Sequence, residues 1–202
     1  MKVLGLTGPS GSGKGYTERI FASFGVPFLD TDEVYHTLVN TDSPCTQELR
    51  ACFGDFAIRE DGSLDRKAMA KHVFCGGDEE KARLSLLNRI THKYVLDSVR
   101  AWISEKQKEK YKAVIIDAPL LYESGFDREC DAVIAVLASR ALRLERIKKR
   151  DGMSEAAAIS RINAQPSDDF YMDRADFILY NDTDGENVKT EAVKILSSLA
   201  LL

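Results

Sequence analysis

The sequence has no pair of cysteines close enough to form a metal knuckle. Its four cysteines, Cys45, Cys52, Cys75 and Cys130, lie far apart without a CxxC spacing, and His36, His72 and His92 are equally scattered. A zinc centre is therefore not expected, and buried or incidental thiols in a reducing cytoplasm are. No stretch approaches the roughly 18 apolar residues that a membrane-spanning helix needs. A single lysine precedes the apolar run VLGL, which turns polar at once, so no secretion signal is expected. Nor does one sign of charge dominate. With 28 basic against 32 acidic residues the formal charge is −4, which argues against broad nucleic-acid binding while allowing a local basic cleft. Internal repeats and low-complexity linkers are absent too. What is there, 202 residues of 44% hydrophobic and 30% charged content, suits one packed domain with room for a lid or small insert.

Buried strands are predicted over 2–6 (KVLGL), 26–29, 113–117 (AVIID), 131–137 (DAVIAVL) and 175–181 (ADFILYN). Pro27 puts the second at a strand start or a sheet edge. The last three runs lack polar alternation and are separated by helical stretches, the pattern of a parallel sheet covered on both faces. A helix is predicted from Lys14 to Phe24, its apolar Ile20, Phe21 and Phe24 at helical spacing and Gly25 as its stop. Asp32 is placed to cap the next helix, EVYHTLV, before NTDSP interrupts it. From about Cys45 to Lys112 the pattern is mainly helical: TQELRACFG ending at Gly54, the turn EDGS, DRKAMAKHVF stopped by CGGD, and a long segment from Glu79 whose SEKQKEKYK end reads as a solvated face. A last helix runs over 186–202, with Val188, Ala192, Ile195 and Leu199 on one side.

The stretch TGPSGSGKGYTE, residues 7–18, carries the first chemistry. It matches G-x-x-x-x-G-K between an apolar strand and a periodic helix. Gly8, Gly11 and Gly13 let backbone N–H groups turn inward around phosphate oxygens; Pro9, Ser10 and Ser12 complete the loop. Lys14 adds a mobile positive charge, and the helix start adds oriented N–H donors. Gly15 stands where a hydroxyl usually touches the magnesium ion on the β and γ phosphates. Tyr16 is no evident replacement, and Thr17, two positions on, is rotated by about 200°. Because magnesium keeps several waters and is held largely by ATP phosphates and carboxylates, Gly15 implies weaker or rearranged metal binding before it implies a dead enzyme. Asp117, where a buried strand emerges, orients magnesium-bound water, assists a substrate hydroxyl, or only caps the following turn. Glu123, in YESG, is a weaker candidate that also reads as a surface turn.

At FLDTD the pattern as a whole resembles the dephospho-coenzyme A kinase family. The stretches that carry the resemblance are GLTGPSGSGKG, LDTD, FGDFAIREDGSLDRKAMAKHVF, LNRITHKYV, IIDAPLLYESG, RLERIKKRDGMS, RINAQ and ADFILYN, in order over nearly the whole chain. The family's loop usually ends Gly-Lys-Ser-Thr, so GKGY departs from it. The resemblance implies an α/β, P-loop nucleotide-kinase-like parallel sheet covered by helices, with a helical acceptor-binding insert at about 33–112 and a lid at about 146–169. It implies transfer of phosphate from ATP, with magnesium, to the ribose 3′-hydroxyl of dephospho-coenzyme A.

Under that resemblance Asp32 is the general base facing the hydroxyl, while Asp30 shapes the turn. Arg143, Arg146 and Arg150 share a helical face, and Arg150 with Arg161 of RINAQ are the phosphate-contacting candidates, with ordinary exposed charge as the other reading. Gln165 belongs to the matched segment without a derivable contact. On the acceptor side stand Asp32, Lys67, His72, His92 and Asp117; His92 reads equally as a packed polar residue, and DRKAMAKH as a solvated helix face. The partners expected are ATP and dephospho-coenzyme A, with no nucleic acid and no membrane; a protein partner is left open. The rival readings are another small-molecule kinase on the same core and a nucleotide-binding protein that has lost turnover.

Overall fold

The computed structural model describes residues 1–182 and 186–202; the side chains of Asp78 and Glu186 are outside that description. Five strands, β1 (Lys2–Thr7), β2 (Phe28–Asp30), β3 (Ala113–Asp117), β4 (Ala132–Leu137) and β5 (Phe177–Tyr180), form a parallel sheet in the order β2-β3-β1-β4-β5. β3 and β4 are buried at every residue, as their unbroken apolar runs require once helices cover both faces. Side chains alternate across the sheet. Leu4 and Leu6, Ile134 and Val136, and Leu179 point to one face, where they pack with Phe21 of α1 (Lys14–Ser23) and with Val188, Ala192 and Ile195 of α10 (Glu186–Ser198). Ala135 and Leu137 point to the other, against Tyr171 of α9 (Asp168–Met172). Each fully buried leucine or isoleucine contributes roughly 1.5–3 kcal/mol.

The chain divides into two compact units, one of residues 1–29 with 103–202 and one of residues 30–102. The second holds α2 (Thr31–Val39), α3 (Pro44–Phe53), α4 (Arg66–Val73) and most of α5 (Asp78–Lys108). Its own core gathers Val39, Cys45, Leu49, Leu64, Met69, Val73 and Ile90. The remaining elements of the first unit are α6 (Leu121–Ser124), α7 (Arg140–Asp151) and α8 (Glu155–Asn163). Among the described residues no helix is long and apolar enough to cross a membrane.

Three expectations move. The second strand starts at Phe28 and not at Val26, because Pro27 has no N–H for the ladder; its carbonyl still accepts from Ile115 N at 2.9 Å. The long helix ends at Lys108 and not at Lys112, and Lys110 has a left-handed φ of 64°. Most consequential, the cap of α2 is Asp30 and not Asp32: the Asp30 carboxylate accepts from Asp32 N at 2.8 Å. A cap oxygen reaches the N–H two or three positions ahead, and Asp32 already lies inside the first turn. Asp30→Ala should therefore cost about 1 kcal/mol of stability in urea unfolding. A loss no larger than that of an exposed surface substitution would remove Asp30 from this role.

Candidate active site

The phosphate loop, residues 8–13, leaves the carboxyl end of β1 and runs into α1. β1 lies between β3 and β4, where the chain order of the sheet reverses. Open α/β sheets bind ligands at such a point, outside the strands' carboxyl ends. The register pairs Leu6 with Asp117, which sets the end of β3 beside the loop. Asp117 is 6% exposed, and Lys14 Nζ lies 3.9 Å from its Oδ1 and 3.4 Å from Gly8 O. The lysine charge is thus held at the mouth of the loop by a carboxylate and a carbonyl.

The loop's backbone divides by function. The N–H of Ser10 donates to Gln165 Oε1 at 2.9 Å and that of Ser12 to Pro9 O at 3.1 Å. Those of Gly11, Gly13, Lys14 and Gly15 donate to no acceptor among the described residues, and Gly13 has no side chain to cap α1. Open donors at the positive end of a helix are an anion site. The carbonyls facing away need donors of their own. Arg143 Nε supplies Ser10 O at 3.1 Å, Arg146 Nη1 supplies Gly11 O at 3.3 Å and Ser12 O at 3.1 Å, and Asn181 Nδ2 supplies Ser12 O at 2.9 Å. Arg146 is braced by Asn181 O at 3.0 Å, and Arg143 by Gln165 Oε1 and Asp168 Oδ1, both at 3.3 Å. Burial pushes the Arg143 guanidinium below its ordinary pKa, and the Asp168 carboxylate works against that shift.

This clamp is tight at two glycines. A Cβ on Gly8, at φ 141°, would lie 2.2 Å from Val136 O, and one on Gly13, at φ 95°, 2.1 Å from Asn181 Nδ2. Gly13→Ala combines a left-handed backbone with the loss of the Asn181 contact. It should destabilise the protein by roughly 1–3 kcal/mol, read as a lower thermal midpoint, and weaken ATP binding in the folded fraction. Unchanged melting and ATP affinity would contradict the clamp.

The other predicted residues are placed as follows. Arg150 and Arg161 do not touch the loop: Arg150 donates twice to Asp151, at 2.7 and 2.9 Å, and Arg161 once, at 2.8 Å. The hydrogen bond to Arg150 holds the Asp151 carboxyl below the usual range and raises the arginine in turn. The left-handed turn at Gly152 closes α7 and leads into α8, which carries Arg161. Of the basic face, Arg143 and Arg146 reach the loop. Thr17 is buried and bonds back to Gly13 O at 3.3 Å, while Tyr16 is exposed, so neither hydroxyl takes Gly15's place. Glu123 is exposed on α6.

In the second unit, Asp32 is exposed in the first turn of α2, and its carboxylate makes no hydrogen bond or ion pair among the described residues. Tyr35 and His36 follow at i+3 and i+4 on the same face. Arg66 of α4 reaches that face, with Nη2 2.6 Å from His36 Nδ1 and its guanidinium 5.8 Å from the Tyr35 ring centre. Arg66 stands in the matched run DGSLDRKAMAKHVF, yet only the pairing of α4 with α2 singles it out. Lys67 is exposed; the His72 ring packs against Phe56 at 4.8 Å and Phe53 at 6.0 Å; His92 is half-buried on α5.

Among the described residues no group of three or more His, Cys, Asp and Glu side chains is placed to hold a metal ion. A cation at this loop would therefore draw most of its ligands from phosphates and water, which magnesium tolerates.

Comparison with known proteins shows the family and the fold. The dephospho-CoA kinase family profile matches residues 2–187. A dephospho-CoA kinase of Syntrophotalea carbinolica is 34% identical over 98% of this chain and 92% of the relative. Another, of Moorella thermoacetica, is 38% identical over 87% of this chain and 81% of the relative. A crystal structure of a Thermus thermophilus protein superposes with a TM-score of 0.79 at 27% identity, covering 98% of this chain and 97% of that one.

Proposed function

The chain belongs to the dephospho-CoA kinase family, and from that premise we propose that it transfers the γ-phosphoryl group of ATP to the ribose 3′-hydroxyl of dephospho-coenzyme A, giving coenzyme A and ADP. The observation that carries this reading is the loop of open N–H donors over Gly11–Gly15, with Lys14 and Asp117 at its mouth.

Each residue then has a task. The N–H donors of Gly11, Gly13, Lys14 and Gly15 hold the phosphate oxygens, and Lys14 neutralises charge gathering on the transferred group and the leaving ADP. Arg143, Arg146, Gln165 and Asn181 keep the loop in shape from behind. Asp32 orients the 3′-hydroxyl and accepts its proton as that oxygen bonds to phosphorus and the bond to ADP breaks. Freedom from capping leaves its carboxylate available for this work. Residues 33–112 carry the acceptor, with Lys67, His72 and His92 as contributors, and Arg66 with Tyr35 adds charge and a ring on the Asp32 face of α2. Residues 146–169 act as the lid; Arg150 and Arg161, now joined to Asp151, exchange that partner for phosphate oxygens on closure, which excludes water from the donor.

Asp117, buried beside Lys14, would reach magnesium mainly through water, with the ATP phosphates as the chief ligands. Magnesium, when bound with ATP, supplies charge neutralisation on the β and γ phosphates. A reducing, cytoplasmic setting belongs to the same proposal, and the four cysteines are all free.

The test is an acceptor panel with ATP and magnesium: dephospho-coenzyme A, AMP, adenosine and shikimate. Efficient ADP release with dephospho-coenzyme A alone is expected. Preference for another acceptor would replace the substrate assignment, and ATP binding without turnover on any would support a binding protein.

A further inference from the structure

Glu18 is a buried acid that neither the fold nor the chemistry above employs. It lies on α1 one turn beyond Gly15 and is 5% exposed. Its Oε1 is buried with no hydrogen-bond partner among the described residues. Carboxylates at that depth are ordinarily paired or bound to metal. The other oxygen, Oε2, is 3.9 Å from the point where a side chain at residue 15 would begin, and among the described residues, apart from the chain neighbours and the backbone of α1 itself, no other atom comes within 4 Å of that point. The helix accounts for the approach: each Cα–Cβ bond tilts toward the amino end, so a side chain at i+3 lies over residue i. Glu18 therefore covers Gly15, at the helix end whose N–H donors stand open.

We propose that Glu18 supplies the protein oxygen that the divalent cation loses through the missing hydroxyl at residue 15. The assignment rests on the kinase reading in one respect, that the cation arrives with nucleoside triphosphate. Its own support is independent: an open space where a hydroxyl would stand, and beside it a buried carboxylate with an unused oxygen. A carboxylate is a stronger ligand than a hydroxyl for a hard, oxygen-seeking cation. The exchange has an electrostatic signature. A neutral hydroxyl is indifferent to phosphate when no metal is present, whereas the Glu18 charge opposes it. Metal and nucleotide should therefore promote each other's binding more strongly through Glu18 than through a serine, and the coupling must be equal in both directions.

Mn²⁺ is the probe, titrated by electron paramagnetic resonance into the protein with the non-hydrolysable analogue AMP-PNP. Glu18→Gln should weaken Mn²⁺ binding on the order of tenfold or more, the loss seen even for outer-shell partners of a metal. The same variant should bind metal-free AMP-PNP at least as tightly as the native protein. Adding Gly15→Ser to Glu18→Gln should restore part of the Mn²⁺ affinity. Gly15→Ser alone meets no clash and no left-handed φ, so it tests the idea even where Glu18→Gln does not fold; it should leave Mn²⁺ affinity within about threefold, a limit well inside the tenfold loss. Native-like Mn²⁺ affinity in Glu18→Gln, or a tenfold gain from Gly15→Ser alone, would overturn the proposal. If the native protein makes coenzyme A while Glu18→Gln keeps its Mn²⁺ affinity, only the Glu18 assignment falls. If Glu18→Gln loses Mn²⁺ and the native protein phosphorylates no dephospho-coenzyme A, only the acceptor reading falls.

Discussion

Lys14→Met should lower kcat with dephospho-coenzyme A by about 10²- to 10³-fold, the usual effect of removing one donor aimed at transition-state charge. Methionine keeps the apolar stem and removes the charge, so the change isolates electrostatics from packing. Lys14 lies within reach of Gly8 O and Asp117, and both contacts are lost. Because the Asp117 carboxylate is nearly buried, removing the Lys14 charge beside it adds to the loss. Lys14→Arg keeps the charge but replaces a compact ammonium with a planar fork, and should recover only part of the rate. Steady-state kinetics alongside thermal melting decides the matter. A variant that melts earlier yet turns over normally would reduce Lys14 to a structural brace.

Asp32→Asn carries the second large effect, a fall in kcat of about 10²- to 10⁴-fold, the range assigned to a positioned acid or base. Affinity for AMP-PNP should hardly move, since the donors assigned to the phosphates are the loop N–H groups and Lys14. Stability should also hold, because Asp30 and not Asp32 caps α2; the most that a first-turn acid contributes through the helix dipole is roughly 0.3–1 kcal/mol. The pair Asp30→Ala and Asp32→Asn therefore separates two functions that the sequence motif LDTD merges. Asp30 should lose stability with modest change in rate, and Asp32 the reverse. Parallel losses of rate and nucleotide affinity in Asp32→Asn would deny it the role of base.

The legible parts of this protein are those written in local pattern. AVIID and DAVIAVL have no polar alternation, and strands buried on both faces follow from that directly. The spacing of Gly8, Gly13 and Lys14 is likewise local, and so the loop stands out in the sequence. The supports behind it are not local. Gln165 meets Ser10 N across 155 positions of sequence, and Arg143 meets Ser10 O across 133. The Gln165 oxygen answers a loop N–H and the Arg143 guanidinium a loop carbonyl, groups whose directions exist only once the loop has folded. Asn181 was open to the argument used for Asp117, a polar residue ending a buried strand at the sheet's carboxyl edge, and its contact with Ser12 O shows why that position matters. Arg150 and Arg161 illustrate the opposite case. The family resemblance implies phosphate for both, and their pairing with Asp151, brought near by the turn at Gly152, is not announced by any spacing in the sequence. The cap of α2 was missed for a similar reason: two aspartates in LDTD are equally good caps by type, and only the true start of the helix separates them.

The most direct measurement is phosphorus-31 nuclear magnetic resonance of the native protein acting on ATP, magnesium and dephospho-coenzyme A. A new phosphomonoester coupled to the ribose H3′, rising in step with ADP, is the result required if Lys14 holds the donor and Asp32 the receiving alcohol. ADP accompanied only by inorganic phosphate, or a phosphate carried by any other oxygen of the acceptor, would contradict it.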